Sequence, residues 1–136
     1  MAGLTPPGAL AADPVLRPGD AICHTADLVD GGRGIRFLVS TTGEAQPAFV
    51  VRLAGRFHAF INRCAHRSVE LDWTEGEFFD AAGEFLVCAT HGARYDPASG
   101  ACVGGPCRGQ RLTALALNVA DNEVRLASGN APAEIF

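Results

Sequence analysis

Two cysteine and histidine pairs constrain this chain more than any other feature of its sequence. The first pair lies in Cys64-Ala65-His66 and the second in Cys88-Ala89-Thr90-His91. Thiolates and imidazoles in this pattern form a set of metal ligands rather than a catalytic pair. Residues 67–87 separate the two pairs, which leaves room for a hairpin between them. Each pair can therefore lie on its own loop, and two loops facing each other would make one metal site.

The identity of the metal is the first question that these ligands raise. A structural zinc ion also accepts two Cys and two His, but its usual motifs place like ligands together, as in CxxC followed by HxxxH. Here each loop supplies one Cys and one His. That symmetry favours a [2Fe-2S] cluster in which both thiolates bind one iron and both imidazoles bind the other. Mononuclear zinc remains the alternative.

With these ligand loops, the chain resembles the Rieske iron-sulfur proteins over roughly residues 19–127. The two ligand loops carry the resemblance, and Gly104-Gly105-Pro106 is similar to the proline loop that covers the cluster in this family. The resemblance implies one Rieske-type [2Fe-2S] cluster per chain, covered in part by Gly105 and Pro106. It also implies four ligands, with one iron held by Cys64 and Cys88 and the other by His66 and His91.

Residues beside the ligands indicate a reduction potential in the lower half of the Rieske range, which extends from about −150 to +300 mV. Ala93 stands where high-potential members have a serine that donates to a cluster sulfide, and Val69 and Thr90 stand where those members have a disulfide. Tyr95 matches a tyrosine that can donate to a cysteine ligand, although it could also simply pack under the loop. His66-Arg67 resembles the first loop of oxygenase-type Rieske domains.

An all-β fold is expected from the composition. The 136 residues include sixteen Gly and eight Pro and lack long helical periodicity, which is typical of one domain with many turns. The resemblance implies an antiparallel β-sandwich with a small cluster-binding subdomain, at about residues 62–108, inserted as two loops and a hairpin. We expect a flexible N-terminal arm at 1–19, the Rieske domain at 20–127 and a C-terminal tail at 128–136.

Apolar, β-branched and aromatic runs between turn residues predict the strands. Ala54-Gly55-Arg56 is typical of a tight hairpin turn between two of them. The period-two pattern of residues 112–119 predicts a single strand. The predicted strands cover residues 20–24, 34–40, 47–53, 57–61, 78–79, 84–87, 112–119 and 124–127.

The remaining cysteines and histidines are not proposed as ligands, because none lies in a CxH or CxxH unit. We expect Cys23, Cys102 and Cys107 to be reduced and mostly buried rather than bridged. His24 and His58 are expected to have surface or sheet-packing roles.

Charge argues against some classes of partner. The net charge of −4 disfavours nucleic acid and an anionic membrane and makes a basic protein partner more plausible. Residues 1–19 show neither the cationic start nor the apolar run of a signal or anchor, so we expect a cytoplasmic protein. Between the ligand loops, Arg67 is the only base beside six acids, which form either an acidic edge or a merely solvated hairpin: Glu70, Asp72, Glu75, Glu77, Asp80 and Glu84.

A one-electron carrier is the function that these features favour, passing electrons from a reductase to an oxygenase or related oxidoreductase. Its docking face would surround the exposed histidine edge, at Arg63, Arg67, Arg94 and Pro106. The alternatives are a permanently bound small subunit, similar to that of assimilatory nitrite reductase, and a redox sensor or zinc-bound interaction module. An oxygenase in its own right is not expected, because too little chain remains for a second, mononuclear iron domain. The oligomeric state stays open.

Overall fold

The computed structural model describes residues 14–40, 45–64, 70–72, 74–90 and 92–127. Within these residues the chain forms strands and one short 3-10 helix, Thr25–Asp27, which confirms the all-β prediction. No helix in these ranges is long and apolar enough to cross a membrane. The strands are β1 (Val15–Leu16), β2 (Ala21–His24), β3 (Ile35–Val39), β4 (Gln46–Leu53), β5 (Arg56–Ile61), β6 (Leu86–Val87), β7 (Arg94–Tyr95), β8 (Cys102–Gly104), β9 (Ala114–Leu115), β10 (Leu117–Ala120) and β11 (Glu123–Leu126).

The strands of the described residues form three sheets. The main sheet has the order β1-β3-β4-β5-β9, the second sheet β10-β11-β2 and the small sheet β6-β7-β8. The β4–β5 hairpin lies at the centre of the main sheet and turns at Ala54 and Gly55, whose φ angles are 54° and 76°. Two successive positive φ angles match the right-handed twist of paired strands, so the hairpin predicted here is confirmed.

Strand β4 is buried on both faces. Ala48, Phe49, Val50 and Val51 are all 0–1% exposed, because alternate side chains enter two different hydrophobic cores. The sandwich core, between the main and second sheets, contains Leu28, Phe37, Val39, Ala48, Val50, Ala59, Ile61, Leu115, Val124 and Leu126. The loop-side core, on the other face, contains Phe49, Val51, Phe60, Cys64, Leu71, Phe78, Leu86, Cys88, Ala93, Tyr95, Cys107 and Leu112.

The small sheet belongs to a segment inserted between β5 and β9. Leu86 pairs with Tyr95, and Arg94 pairs with Gly104, so β6, β7 and β8 form an antiparallel meander. Phe79 makes an isolated bridge to Leu86, which corresponds to the hairpin predicted around Asp80. This segment supplies most of the loop-side core and therefore forms a third layer on the main sheet.

The single strand predicted at residues 112–119 is wrong. The structure contains two strands in two sheets: β9 pairs with β5 in the main sheet, and β10 pairs with β11 in the second sheet. The chain passes from one sheet to the other at Ala116, while Leu115 and Leu117 both pack in the sandwich core. A period-two pattern records which face is buried but not which sheet supplies the hydrogen bonds, so it could not reveal this break.

The predicted N-terminal arm is too long by several residues. Val15 and Leu16 form β1, which pairs in parallel with Leu38 and Val39, and Leu16 packs on the sandwich core. Apolar contact and strand pairing stabilise this short segment, which also makes the main sheet mixed rather than purely antiparallel. The rest of the predicted arm, at 1–13, and the tail at 128–136 lie outside the described residues.

Substitution of Phe49 tests whether packing between the loop-side core and the main sheet stabilises the protein. Its ring stacks on Phe78 with 3.9 Å between centroids and lies 5.8 Å from the Phe60 ring. We expect Phe49→Ala to lower the free energy of unfolding by about 3–5 kcal/mol, because the cavity cannot close between two sheets. Phe57→Ala, which truncates a partly buried ring on β5, is the matched control and should cost clearly less in chemical denaturation. Equal losses would contradict the prediction.

Candidate metal centre

The two predicted cysteine ligands come together in the loop-side core. Cys64 follows the end of β5 and Cys88 follows β6 directly, and their exposed fractions are 2% and 0%. His66, Arg67 and His91 lie outside the described residues, as do Val69 and Trp73. Within the described ranges, no group of three His, Cys, Asp or Glu side chains is placed to hold a metal ion. Of the four predicted ligands, the structure thus shows the two cysteines, and it places both in one buried core.

Tyr95 lies beside Cys64, where the first loop begins. Its side chain is fully buried on β7, and its hydroxyl oxygen lies 3.2 Å from the Cys64 Sγ. A thiolate at Cys64 can only accept, so the tyrosine hydroxyl would donate to it. The register of β7 against β6, which pairs Tyr95 with Leu86, aims the ring toward this sulfur. The contact is the one that the sequence suggested for this tyrosine.

Backbone hydrogen bonds close the second loop around position 91. The Cys88 N–H donates to the Ala93 carbonyl and the Gly92 N–H donates to the Cys88 carbonyl, both at 2.8 Å. Gly92 has a φ of 74°, a conformation that glycine adopts without strain. Ala93 is fully buried, so its methyl group packs inside the loop-side core. These contacts tie Cys88 to the two residues that follow His91 in the chain.

The segment predicted to cover the site lies directly on this second loop. Gly105 has a φ of 84°, and a Cβ added there would lie 2.8 Å from the Gly92 carbonyl oxygen and 3.0 Å from the Ala93 Cα. Only glycine allows two backbones to approach so closely. Pro106 follows at the surface. The structure thus brings Gly105 to the second loop.

A disulfide closes the covering segment, which corrects the expectation of reduced thiols. Cys102 and Cys107 are bridged, with their Cα atoms 5.6 Å apart. The turn after β8 brings the two residues within the ordinary Cα separation of a disulfide, which the sequence alone does not reveal. Cys23 is not part of the bridge; burial, assisted by the nearby Asp27 charge, raises the pKa of its thiol to about 11.

The remaining histidines lie on strands of the two larger sheets. His24 ends β2, and His58 lies in β5, paired with Val51. Partial burial lowers the pKa of His58, an effect that Arg56 reinforces and the Asp96 charge opposes. Both positions are in sheets, as the sequence suggested.

The acids between the ligand loops meet bases that come from other parts of the chain. Arg33 pairs with Glu77, Arg36 pairs with Glu70 and Asp72, and Arg94 pairs with Asp80. The backbone N–H of Glu84 is the main cause that holds the pKa of Asp80 below its ordinary value, and the Phe85 N–H and Arg94 add to the effect. The sequence suggested six acids beside one base, and the fold neutralises much of that charge.

The fold and site together are those of a small all-β domain that buries two cysteines, from two separate loops, in one core. Residues 20–124 match the family model described as the Rieske [2Fe-2S] domain. The chain belongs to this family. No curated protein matched the sequence.

Solved structures share the fold. The Sphingomonas yanoikuyae B1 ferredoxin is 21% identical with a TM-score of 0.62, over 80% of this chain and 97% of that one. The ferredoxin of carbazole 1,9a-dioxygenase from Nocardioides aromaticivorans IC177 is 23% identical with a TM-score of 0.63, over 81% and 97%. The plasma membrane Rieske protein of Synechocystis PCC 6803 is 24% identical with a TM-score of 0.57, over 79% and 97%. At these identities the likeness shows the fold.

Gly105 and its neighbour Gly104 form a matched pair for testing the covering contact. We expect Gly105→Ala to lower the free energy of unfolding by about 1–3 kcal/mol, because it combines a strained positive φ with a backbone clash. Gly104→Ala should change stability little, since its added Cβ would meet nothing nearer than the Arg94 Cδ at 3.9 Å. Chemical denaturation measures the cost, and faster amide exchange at Ala93 in Gly105→Ala alone locates it. Similar effects of both substitutions would refute the close approach.

Proposed function

We propose that this protein is a one-electron carrier that uses a Rieske [2Fe-2S] cluster and passes electrons from a reductase to an oxygenase or related oxidoreductase. The observation that carries the proposal is the meeting of Cys64 and Cys88 in one buried core, with the Tyr95 hydroxyl 3.2 Å from the Cys64 sulfur. Membership of the Rieske family supports the same assignment.

The donor set fits such a cluster. Two buried thiols from separate loops suit an iron atom, because soft thiolates are the usual ligands of iron-sulfur clusters. We propose Cys64 and Cys88 for one iron and His66 and His91 for the other. When bound, the cluster supplies reversible one-electron chemistry, at a potential above that of all-cysteine clusters because two anionic ligands are replaced by neutral ones.

The chain itself supplies insulation and hydrogen bonding rather than catalytic groups. Burial of both cysteines keeps water from the sulfur side of the site, and the Tyr95 hydroxyl would donate to a thiolate at Cys64. The covering segment, held by the Cys102–Cys107 disulfide, packs on the second loop through Gly105. We therefore propose that the protein is not itself an enzyme, and that Ala93, which lacks a hydroxyl donor, leaves the potential in the lower half of the Rieske range.

The surface beside the two loops suits transient docking. Arg63, Arg94 and Pro106 are exposed there, and Val103 of the covering segment is 53% exposed. Although the net charge of −4 made a basic partner more plausible, the exposed arginines beside these loops favour a partner whose own redox site is ringed by acids. A ferredoxin has been solved in complex with the oxygenase of carbazole 1,9a-dioxygenase, and we propose a partner of this general kind. A cytoplasmic location stays a prediction.

Spectroscopy of the anaerobically purified protein tests the cluster directly. We expect one [2Fe-2S] unit per chain by iron and sulfide analysis and, after dithionite reduction, an electron paramagnetic resonance signal with a lower average g value than all-cysteine clusters show. Cys88→Ser should lose the signal, whereas Cys23→Ser, which alters a cysteine outside both loops, should keep it. A colourless protein rich in zinc would refute the proposal.

Tyr95→Phe tests the hydrogen bond to Cys64. Removing the hydroxyl should lower the midpoint potential by roughly 20–60 mV, because a donor to sulfur stabilises the more negative, reduced state by about 0.5–1.5 kcal/mol. Ala93→Ser, which adds a hydroxyl on the second loop, should shift the potential upward. Potentiometric titration of the three proteins measures both shifts, and a wild-type midpoint above about +150 mV would contradict the lower-half placement.

A further inference from the structure

Three polar side chains are buried beside the first cysteine loop, and the proposed ligand set does not use any of them. The side chains of Arg36 and Asp72 are 6% and 0% exposed, and Asn62 is 1% exposed as a residue. Buried polar groups are costly unless they are hydrogen-bonded, so a group of three needs a structural or functional reason. Their contacts show what they hold.

Asn62 closes the base of the first loop. Its side-chain oxygen accepts a hydrogen bond from the Leu71 N–H at 2.9 Å, which ties together the two residues that bracket the Cys64 loop. Its backbone N–H donates to the Pro47 carbonyl at 2.8 Å, so this base is fixed to β4. Asn62 therefore sets where the chain leaves the main sheet, two residues before Cys64.

Asp72 orients the Asn62 amide and is fully satisfied. One carboxylate oxygen accepts from the Asn62 side-chain nitrogen at 2.9 Å, which leaves the amide oxygen facing Leu71. The other accepts from the Gly76 N–H at 2.9 Å and from the Arg36 guanidinium at 3.2 Å. With three donors around it, the carboxylate holds both its own segment and the asparagine in one arrangement.

Arg36 connects this arrangement to the sheet and balances its charge. It lies on β3 and reaches Asp72 at 3.2 Å and Glu70 at 3.3 Å. A buried carboxylate without a cation would be strongly destabilising, so Arg36 makes the buried Asp72 tolerable.

The same residues reach the second loop. The Leu71 carbonyl accepts a hydrogen bond from the Ala89 N–H at 3.1 Å, directly after Cys88. A continuous set of hydrogen bonds thus runs from β3 through Arg36, Asp72 and Asn62 to Leu71 and on to Ala89.

We propose that Arg36, Asn62 and Asp72 are positioning residues that fix the Cys64 loop and couple it to the Cys88 loop, and thereby set how firmly the metal centre is held and its electronic properties. This inference rests on the proposed function, because it assigns a role at the same site. Groups that orient metal ligands through hydrogen bonds typically change metal affinity by about 10–100-fold when they are removed.

An exchange of the two polar groups tests the proposal. Asn62→Asp keeps an acceptor for the Leu71 N–H but places a second carboxylate against Asp72 and removes the donor between them. Adding Asp72→Asn returns a donor to the pair and restores the original net charge. We expect Asn62→Asp to lose the visible absorbance of the cluster under a chelator about 10–100-fold faster than the wild type, and the double variant to recover most of this loss.

Spectra separate positioning from simple stabilisation. In Asn62→Asp the g values and the midpoint potential should change. In the double variant the g values should return toward those of the wild type, while the midpoint falls because the negative charge now lies two residues from Cys64. Asp30→Asn, which breaks the more exposed Arg52–Asp30 pair at 3.1 Å on the same sheet, is the control and should leave the spectra, the potential and the rate of cluster loss unchanged.

The outcomes distinguish this proposal from the proposed function. If Asn62→Asp retains the cluster, the g values and the potential of the wild type, or if Asp72→Asn does not rescue it, the positioning role is wrong although the cluster stands. If the wild type holds no [2Fe-2S] cluster, the proposed function is wrong. Amide hydrogen exchange then tests the positioning role of Arg36, Asn62 and Asp72 without the cluster. The positioning role is supported if the Leu71 and Ala89 amides are protected in the wild type, lose protection in Asn62→Asp and regain it in the double variant. Unprotected amides in the wild type overturn it.

Discussion

Burial of the β4–β5 hairpin on both faces is the constraint on which the rest of the structure depends. Alternate side chains of one strand enter two cores, so the second sheet and the inserted segment must both pack on the same two strands. Phe49 and Phe60 face the inserted segment, and Ala48 and Ala59 face the second sheet. Cys64 follows this hairpin by only three residues, which gives the first loop a rigid point of departure.

The inserted segment packs around the cysteines with large buried side chains such as Tyr95 and with one close backbone contact. Gly105 rests on the backbone of the second loop, and the Cys102–Cys107 disulfide closes the turn that carries it. Polar groups beside the first loop are instead paired inside the protein, where Asp72 accepts from three donors. Close packing by Gly105 therefore positions the second loop, and the hydrogen bonds of Asp72 position the first loop.

The proposed electron-transfer role needs no nucleophile or general base from the site around Cys64 and Cys88. What it offers is exclusion of water, a hydroxyl directed at a sulfur and an exposed surface beside the loops. Each of these affects the energy of adding one electron or the docking of a partner. The arginines that pair with the acids of the inserted segment also reduce the acidic edge that the sequence suggested.

The sequence by itself determined the all-β class, most strands and the residues that could bind a metal, because ligand spacing and apolar runs are local properties. Only the tertiary structure decided that residues 112–119 divide between two sheets, that Val15 and Leu16 join the main sheet, and that Cys102 and Cys107 are bridged. It alone also placed Arg36 beside Asp72 and Asn62. These features depend on partners distant in the chain or on turn geometry, and neither is encoded in the pattern of a single segment.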